Sequence, residues 1–294
     1  MTTISMDLVK KLRDKTQVGM MDCKKALEQA EGDFEKAVEF LRKKGAAVAA
    51  KRAENETLQG RVEAHIAPDF RSGSLTMVAC ETDFSANTDA MKTFAQTVSL
   101  VSTENDETDI QKLLDMSAAN QNLTLGESLN ELISKICESI KIDKVAQFKV
   151  EKHGVVNAYI HPGSTIGVLI ELAADNDVSA KLEDLQALSK DICMQVAVTN
   201  PICIDPTQLP AEIVAKERAL ATEQLKESGK PEAMIEKIVD GKMQKFYSEN
   251  CLIHQAFIKS DKISIKQHMD AVGSKIGSPL RIVRFARFAV GRSA

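Results

Sequence analysis

The sequence contains no tryptophan, and aromatic residues make up only 4% of the chain. Proteins that bind single-stranded nucleic acid usually stack bases on aromatic side chains, so this composition argues against such a surface. The formal net charge of −4 at pH 7 gives the whole chain no electrostatic preference for nucleic acid or for an anionic membrane. We therefore expect no direct nucleic-acid partner and no membrane partner.

The sequence also lacks closely spaced cysteines and long apolar runs. No two cysteines have the two-residue spacing of zinc ribbons or thioredoxin-like sites, and isolated thiols are typical of a reducing compartment. No run approaches the roughly 18 apolar residues that span a bilayer, and residues 1–12 do not form a secretory signal. We therefore expect a cytoplasmic protein.

Local catalytic motifs are missing from the sequence as well. It has no phosphate-binding Gly-Lys-Ser/Thr loop, no dinucleotide fingerprint and no nucleophile elbow. Its five histidines lack the helical spacing of metal ligands. We interpret the chain as a non-enzyme without metal or cofactor. An enzyme that assembles Cys80 and His65 across a hairpin remains an alternative.

Apolar spacing predicts three short helices within residues 1–54. The second helix carries Cys23, Ala26, Leu27 and Ala30 at helical intervals, and a third ends before Gly45, followed by an alanine-rich helical linker. Two methionines follow a glycine in the turn before the second helix. At least one should be exposed, where a flexible thioether suits a protein contact, although either one alone fits a gap in a core equally well.

From Gly60 the apolar period changes to that of strands, which predicts an α+β core. A hairpin over residues 62–80 and the helix after it recur over residues 156–196, which indicates a duplicated antiparallel-sheet-plus-helix core. A helix with apolar positions from Leu125 to Ile140 lies between them, and residues 280–290 predict a last strand of the second sheet. The predicted subdomains span residues 55–140, and residues 141–205 with 249–294.

Residues 206–248 predict an inserted antiparallel helical hairpin. Two helices of similar length flank a turn at Ser228-Gly229-Lys230-Pro231, and their outer faces are rich in lysine and glutamate. The hairpin either projects alone or forms a homodimer.

One loop, residues 80–87, joins a strand to a helix, where functional side chains are often presented. Phe84 follows an acid in this polar turn. It either packs back on the coming helix or is offered to a partner, and the residues alone favour the first interpretation.

Several motifs resemble those of the bacterial elongation factor Ts family. They are Leu12-Arg13, Gly19-Met20-Met21-Asp22-Cys23-Lys24-Lys25-Ala26-Leu27, Cys80 with Thr82-Asp83-Phe84, the stretch from His161 to Leu169, Gly229-Lys230-Pro231, and Arg284-Phe285 to Gly291. The resemblance implies a ubiquitin-associated-like N-terminal domain, a duplicated core and a coiled-coil hairpin. It implies guanine-nucleotide exchange on elongation factor Tu, which carries GDP or GTP with Mg²⁺.

The same resemblance implies roles for particular residues. The segment Thr82, Asp83, Phe84 and Ser85 would disturb the magnesium site of the partner. Further partner contacts would come from Arg13, Met20, Met21, Lys24, Ile136 and His161. Many members continue past the last strand into a C-terminal helix, and we expect that contact to be missing or replaced here. A proteolysis or chaperone adaptor remains an alternative, because the three-helix domain resembles ubiquitin-associated domains.

Overall fold

The computed structural model describes residues 4–16, 18–52, 55–119, 122–178, 181–228 and 231–291. It combines helices with antiparallel sheet, which confirms the predicted α+β class. The chain divides into two compact units. The first contains Met1–Phe148, Ile160–Gly167 and Phe288–Ala294, and the second contains Lys149–Tyr159 and Val168–Arg287. The four predicted subdomain ranges stay predictions.

Three helices open the first unit: α1 (Met6–Thr16), α2 (Met20–Gln29) and α3 (Phe34–Arg52). They form at the predicted positions because their apolar residues recur at intervals of three and four. These side chains bury one another in a small common core of Val9, Leu12, Val18, Cys23, Ala26, Leu27, Ala37, Val38 and Leu41.

The rest of the first unit is a hairpin covered by helices. Its elements are β1 (Gln59–Ile66), β2 (Ser72–Cys80), α4 (Asp83–Ala86), α5 (Asp89–Asn105), α6 (Ile110–Leu114), α7 (Leu125–Ile136) and β3 (Ile140–Lys149). The sheet has the order β1-β2-β3, and antiparallel pairing places Val62 opposite Met77. Helix α5 packs against β1 and β2, and its residues Met91, Phe94 and Val98 enter the core.

Two predicted helix ends were wrong. Ile140 does not extend α7, which ends at Ile136 because Cys137 takes a left-handed conformation; Ile140 instead begins β3, a strand that the apolar pattern did not predict. Helix α3 does not end at Gly45 but passes through it. A Cβ atom at position 45 would lie 2.7 Å from the backbone oxygen of Asn130 on α7, so glycine allows the two helices to approach closely.

The next three of the remaining elements repeat the order of strand, strand and helix. They are β4 (His153–Ile160), β5 (Ile166–Ala174), α8 (Leu182–Thr199), α9 (Ala211–Glu227), α10 (Glu232–Asn250), β6 (Ala256–Phe257), β7 (Ser260–Ser264), α11 (Ile265–Ile276) and β8 (Leu280–Ala289). Strand β8 joins β4 and β5 in the order β4-β5-β8, as its alternating pattern predicted. The recurring order supports a duplicated core, which stays a prediction.

Helices α9 and α10 pack against each other, and the inserted antiparallel coiled-coil hairpin of residues 206–248 stays a prediction. Their apolar contact consists of Ala221, Leu225, Ile235, Val239 and Met243. Ion pairing between Arg218 and Asp240, and a 3.0 Å hydrogen bond from Lys242 Nζ to Gln224 Oε1, join their polar faces. Of the predicted turn, Gly229 and Lys230 lie outside the described residues. Within the described ranges, no helix is both long enough and apolar enough to cross a membrane.

Two helical glycines test whether α3 needs its close approach to α7. We expect Gly45→Ala to destabilise the protein by about 1–3 kcal/mol, because the new methyl group meets backbone that cannot move aside. Gly241→Ala on α10 is the control. Among the described residues outside its own turn, no heavy atom lies within 4 Å of that added Cβ atom, so alanine should stabilise α10 by up to about 1 kcal/mol.

Urea unfolding followed by circular dichroism measures both variants. An equal gain of stability in both would contradict the close approach of α3 and α7.

Candidate functional site

The loop of residues 82–87, here called the Phe84 loop, holds its aromatic ring in solvent. Phe84 has 84% of its surface exposed, so the interpretation that it packs back on the following helix is wrong. Thr82 caps the N-terminus of the short helix α4, and its Oγ1 accepts a hydrogen bond from the backbone N–H of Ser85 at 3.3 Å. Ser85 and Ala86 are buried behind the exposed Asp83 and Phe84. The loop therefore has a buried back and an apolar tip.

Two carboxylates anchor this loop, and we call them the carboxylate latch (Glu81 and Glu138). Glu138 accepts a hydrogen bond from the backbone N–H of Thr82 at 3.1 Å and a second from Thr82 Oγ1 at 2.7 Å. In return, Glu81 accepts a hydrogen bond from the backbone N–H of Ser139 at 2.6 Å. The two chain segments thus hold each other through reciprocal, charge-assisted hydrogen bonds.

The pKa of Glu81 is lowered by the partners that surround it. The hydrogen bond from Ser139 is the largest cause, and the side chains of Asn55 and Arg52 add to it. Because the folded pKa of Glu81 lies below the unfolded value of about 4.3, the charged Glu81 carboxylate stabilises the fold fully above that value. That contribution is lost as the pH falls through the folded pKa.

Arg61 on β1 joins the Phe84 loop to a second loop. Its Nη1 donates to the backbone oxygen of Ala86 at 2.9 Å, and its Nη2 donates to Ser164 Oγ at 3.3 Å. Its Nε donates to Glu63 Oε1 at 2.6 Å, so the charge of this largely buried guanidinium is compensated. Arg61 therefore fixes the spacing between α4 and the turn after β4.

That turn carries His161, one of the predicted contact residues. His161 is exposed, while its backbone N–H donates to the oxygen of Ile166 at 2.9 Å and its oxygen accepts from Ser164 at 2.9 Å. The oxygen of Ser164 in turn accepts from the N–H of Val62 on β1 at 2.7 Å. His161 is thus presented on a turn tied to the same strand that supports the Phe84 loop.

Ile136 lies at the end of α7, two residues before Glu138 of the latch. Its side chain is half-buried and packs against the core of the first unit. The structure therefore ties three sequence-predicted contact points, Phe84, Ile136 and His161, to one framework. Arg61, Glu81 and Glu138, which build this framework, were not predicted from the sequence.

The other four predicted contact residues lie on the N-terminal helices, Arg13 on α1 and the rest on α2. Met21 has 67% of its surface exposed, whereas Met20 packs partly against the local core, which confirms that at least one of the two is exposed. Lys24 is exposed, and its Nζ lies 3.8 Å from Oε1 of Glu28. These residues form a group distinct from the Phe84 loop.

Helices α1 to α3 contact the rest of their unit through α3, which packs against α7. Arg42 Nε donates to Glu131 Oε1 at 2.9 Å, next to the close approach at Gly45. The position of the contact residues on α1 and α2 thus depends on α7, the helix that also ends beside the latch.

The structure contradicts the alternative of a catalytic pair. The register of β1 and β2 places Cys80 opposite Gln59 and His65 opposite Ser74, six positions away along the sheet. Burial raises the pKa of Cys80 to about 11, so its thiol is not activated as a nucleophile. No group of three or more His, Cys, Asp or Glu side chains that could hold a metal occurs within the described ranges.

Comparison with known proteins gives a consistent result. Residues 81–292 match the family model described as "Elongation factor TS". The chain is 40% identical to elongation factor Ts of Nautilia profundicola, over 99% of this chain and 94% of that protein. It is 38% identical to the protein of that name from Clostridium novyi, over 98% of this chain and 93% of that protein. Elongation factor Ts of Prosthecochloris aestuarii is 39% identical, over 99% of this chain and all of that protein.

Removing the latch should loosen the Phe84 loop. Hydrogen bonds to a charged group contribute about 1.5–3 kcal/mol, so we expect Glu138→Ala to accelerate amide hydrogen exchange at residues 82–86 by about 10- to 100-fold. Glu138→Gln keeps the shape and one oxygen acceptor, and its increase should be smaller. Hydrogen exchange with mass spectrometry measures both variants. Unchanged protection of residues 82–86 in Glu138→Ala would show that the loop does not depend on the latch.

Proposed function

This chain belongs to the elongation factor Ts family, and on that premise we propose that it binds elongation factor Tu carrying GDP and promotes GDP release. GTP then enters the emptied site, which allows translation elongation to continue. The observation that carries this proposal is the solvent-exposed ring of Phe84 on a loop braced by the latch and by Arg61. A loop prepared in this way can enter a partner without first being ordered, which lowers the cost of binding.

We propose that the segment Thr82–Ser85 displaces the groups of the partner that hold its magnesium ion. Mg²⁺ demands near-ideal octahedral geometry and bridges the phosphates of a bound nucleotide, so a small displacement weakens nucleotide binding. Phe84 supplies the apolar wedge and the exposed Asp83 accompanies it. This chain provides no metal ligands of its own in the mechanism; the ion belongs to the partner.

The energy of one ring limits what the loop achieves alone. Burying a phenylalanine side chain contributes roughly 1.5–3 kcal/mol, and each factor of ten in affinity needs about 1.4 kcal/mol. Phe84 therefore accounts for one or two factors of ten. The remaining coupling is assigned to a wider interface that includes Ile136, His161 and the N-terminal group Arg13, Met20, Met21 and Lys24.

Exchange of this kind breaks no covalent bond, so it requires no catalytic group. Whatever free energy the factor uses to weaken nucleotide binding, the nucleotide uses to weaken binding of the factor.

Membership of this family of translation factors also leads us to propose a cytoplasmic protein. A homodimer through α9 and α10, whose side chains Leu220 and Met234 are exposed, is a further hypothesis that light scattering tests.

Removing the ring of Phe84 tests the wedge. We expect Phe84→Ala to lower the acceleration of GDP release by about 10- to 100-fold, because the partner loses the burial of one aromatic side chain. Stability should hardly change, since the ring is exposed in the free protein. The measurement is release of labelled GDP from elongation factor Tu. Leu220→Ala on α9, which removes another exposed apolar side chain, is the matched control.

Full exchange activity in a folded Phe84→Ala variant would overturn the wedge. Absence of elongation factor Tu among the proteins captured by the wild-type chain would favour the adaptor alternative instead.

The magnesium mechanism has a separate consequence. Because the metal stabilises the bound nucleotide, excess Mg²⁺ should slow the GDP release promoted by this protein, and the slowing should be weaker in Phe84→Ala. Titration of Mg²⁺ in the same release assay measures this. Exchange that is indifferent to Mg²⁺ would show that the factor acts elsewhere on the nucleotide site.

A further inference from the structure

Two thiols meet where α9 and α10 leave the rest of the second unit. The Sγ atoms of Cys203 and Cys251 lie 3.4 Å apart, and both cysteines are free. Cys203 precedes α9 and Cys251 follows α10, so together they close the base of this helical hairpin. The two sulfurs pack in a small apolar cluster with Leu209. Neither thiol takes part in the proposed exchange function.

The backbone already holds the two cysteines in register for a bond. They face each other across a parallel β-bridge. Beside it, the backbone N–H of Ile202 donates to the backbone oxygen of Asn250 at 2.9 Å, and that of Leu252 donates to the backbone oxygen of Cys203 at 2.9 Å. Neighbouring strands lie about 4.8 Å apart, and disulfides form over Cα separations of about 4.4–6.8 Å. Side-chain rotation alone therefore suffices to bring the sulfurs to the bonded distance of about 2.05 Å.

The surroundings distinguish the two thiols chemically. Cys203 has 8% of its surface exposed and Cys251 has none, so an oxidant reaches Cys203 first. Burial raises the pKa of both thiols, that of Cys251 to about 12. Access therefore makes Cys203 the thiol that meets the oxidant, and the buried Cys251 the thiol that resolves the product.

We propose that Cys203 and Cys251 are a reversible oxidation site that forms an intrachain disulfide across the base of the hairpin. The oxidant is hydrogen peroxide. The Cys203 thiol releases its proton, the thiolate attacks a peroxide oxygen, and the O–O bond breaks to give a sulfenic acid. The hydroxide that leaves takes up the released proton and forms one water. The Cys251 sulfur then attacks the Cys203 sulfur, the S–O bond breaks, and the hydroxide leaves as a second water with the thiol proton. Two thiols lose two electrons and the peroxide gains them.

The bond would close a loop that contains α9 and α10. Such a link restricts the unfolded chain, so the oxidised protein should unfold at a higher temperature than the reduced one. It should also slow hydrogen exchange at the base of the hairpin. The exposed Cys137 at the end of α7 is an internal reference, because its oxidation shows that the peroxide has reached an exposed thiol of the native protein.

The test uses the full chain treated with hydrogen peroxide and digested without reduction. We expect mass spectrometry to find a peptide pair linked through Cys203 and Cys251, with loss of the free thiols of these two residues and a raised midpoint of thermal unfolding, all reversed by dithiothreitol. Cys203→Ser and Cys251→Ser should each abolish the linked pair, whereas Cys137→Ser should keep it.

Two results would overturn the proposal: no linked pair in native protein whose Cys137 is already oxidised, or a linked pair only after unfolding in urea. The wild-type digest decides the matter even if a serine variant fails to fold. Exchange activity is not a readout, so this test and that of the proposed function fail independently.

Discussion

An aromatic ring held in water needs a support that prevents it from folding back. Burial of Phe84 within its own chain would gain roughly 1.5–3 kcal/mol, and a four-residue helix such as α4 has almost no stability of its own. The latch opposes that collapse. Glu138 accepts both polar hydrogens of Thr82, and Glu81 accepts the N–H of Ser139. These charge-assisted hydrogen bonds fix the start of the loop and direct its apolar tip into solvent.

The latch has consequences beyond its own loop. Glu138 follows α7, which contacts α3 at Gly45, while Arg61 continues the hydrogen-bond chain from Ala86 to the turn of His161. A shift of α7 would therefore act on helices α1 to α3 and on the Phe84 loop together. Under the proposed function this matters, because the Phe84 loop can displace residues of the partner only when its own supporting contacts stay fixed. Rigidity here comes from buried and charged partners and not from local helix propensity.

Periodicity in the sequence was sufficient for elements with one buried face, such as α2 with Cys23 and Leu27, or β1 with Val62. It failed where a residue has a second role. A glycine such as Gly45 is typical of a helix end. Here it lies inside α3, where it contacts α7, and only the structure shows that α7 is the partner. The latch was beyond prediction for a related reason. Thr82 and Glu138 are 56 positions apart, and a glutamate before a strand is indistinguishable from any surface acid. For Phe84 the local residues indicated a buried ring, and the family resemblance alone pointed outward.

The modest energy available from one ring is consistent with reversible exchange. Coupling is reciprocal, so a factor that expelled GDP with very large free energy would itself resist expulsion by the incoming GTP. Under the proposed function, a single phenylalanine on a rigid loop would contribute one or two factors of ten, and exposed groups such as Met21 and His161 would add contacts of their own. Spreading the interaction over separate groups would allow each to detach in turn. The fold provides this spread, because the latch, Arg61 and the contact between α3 and α7 place those groups on one unit while leaving each exposed.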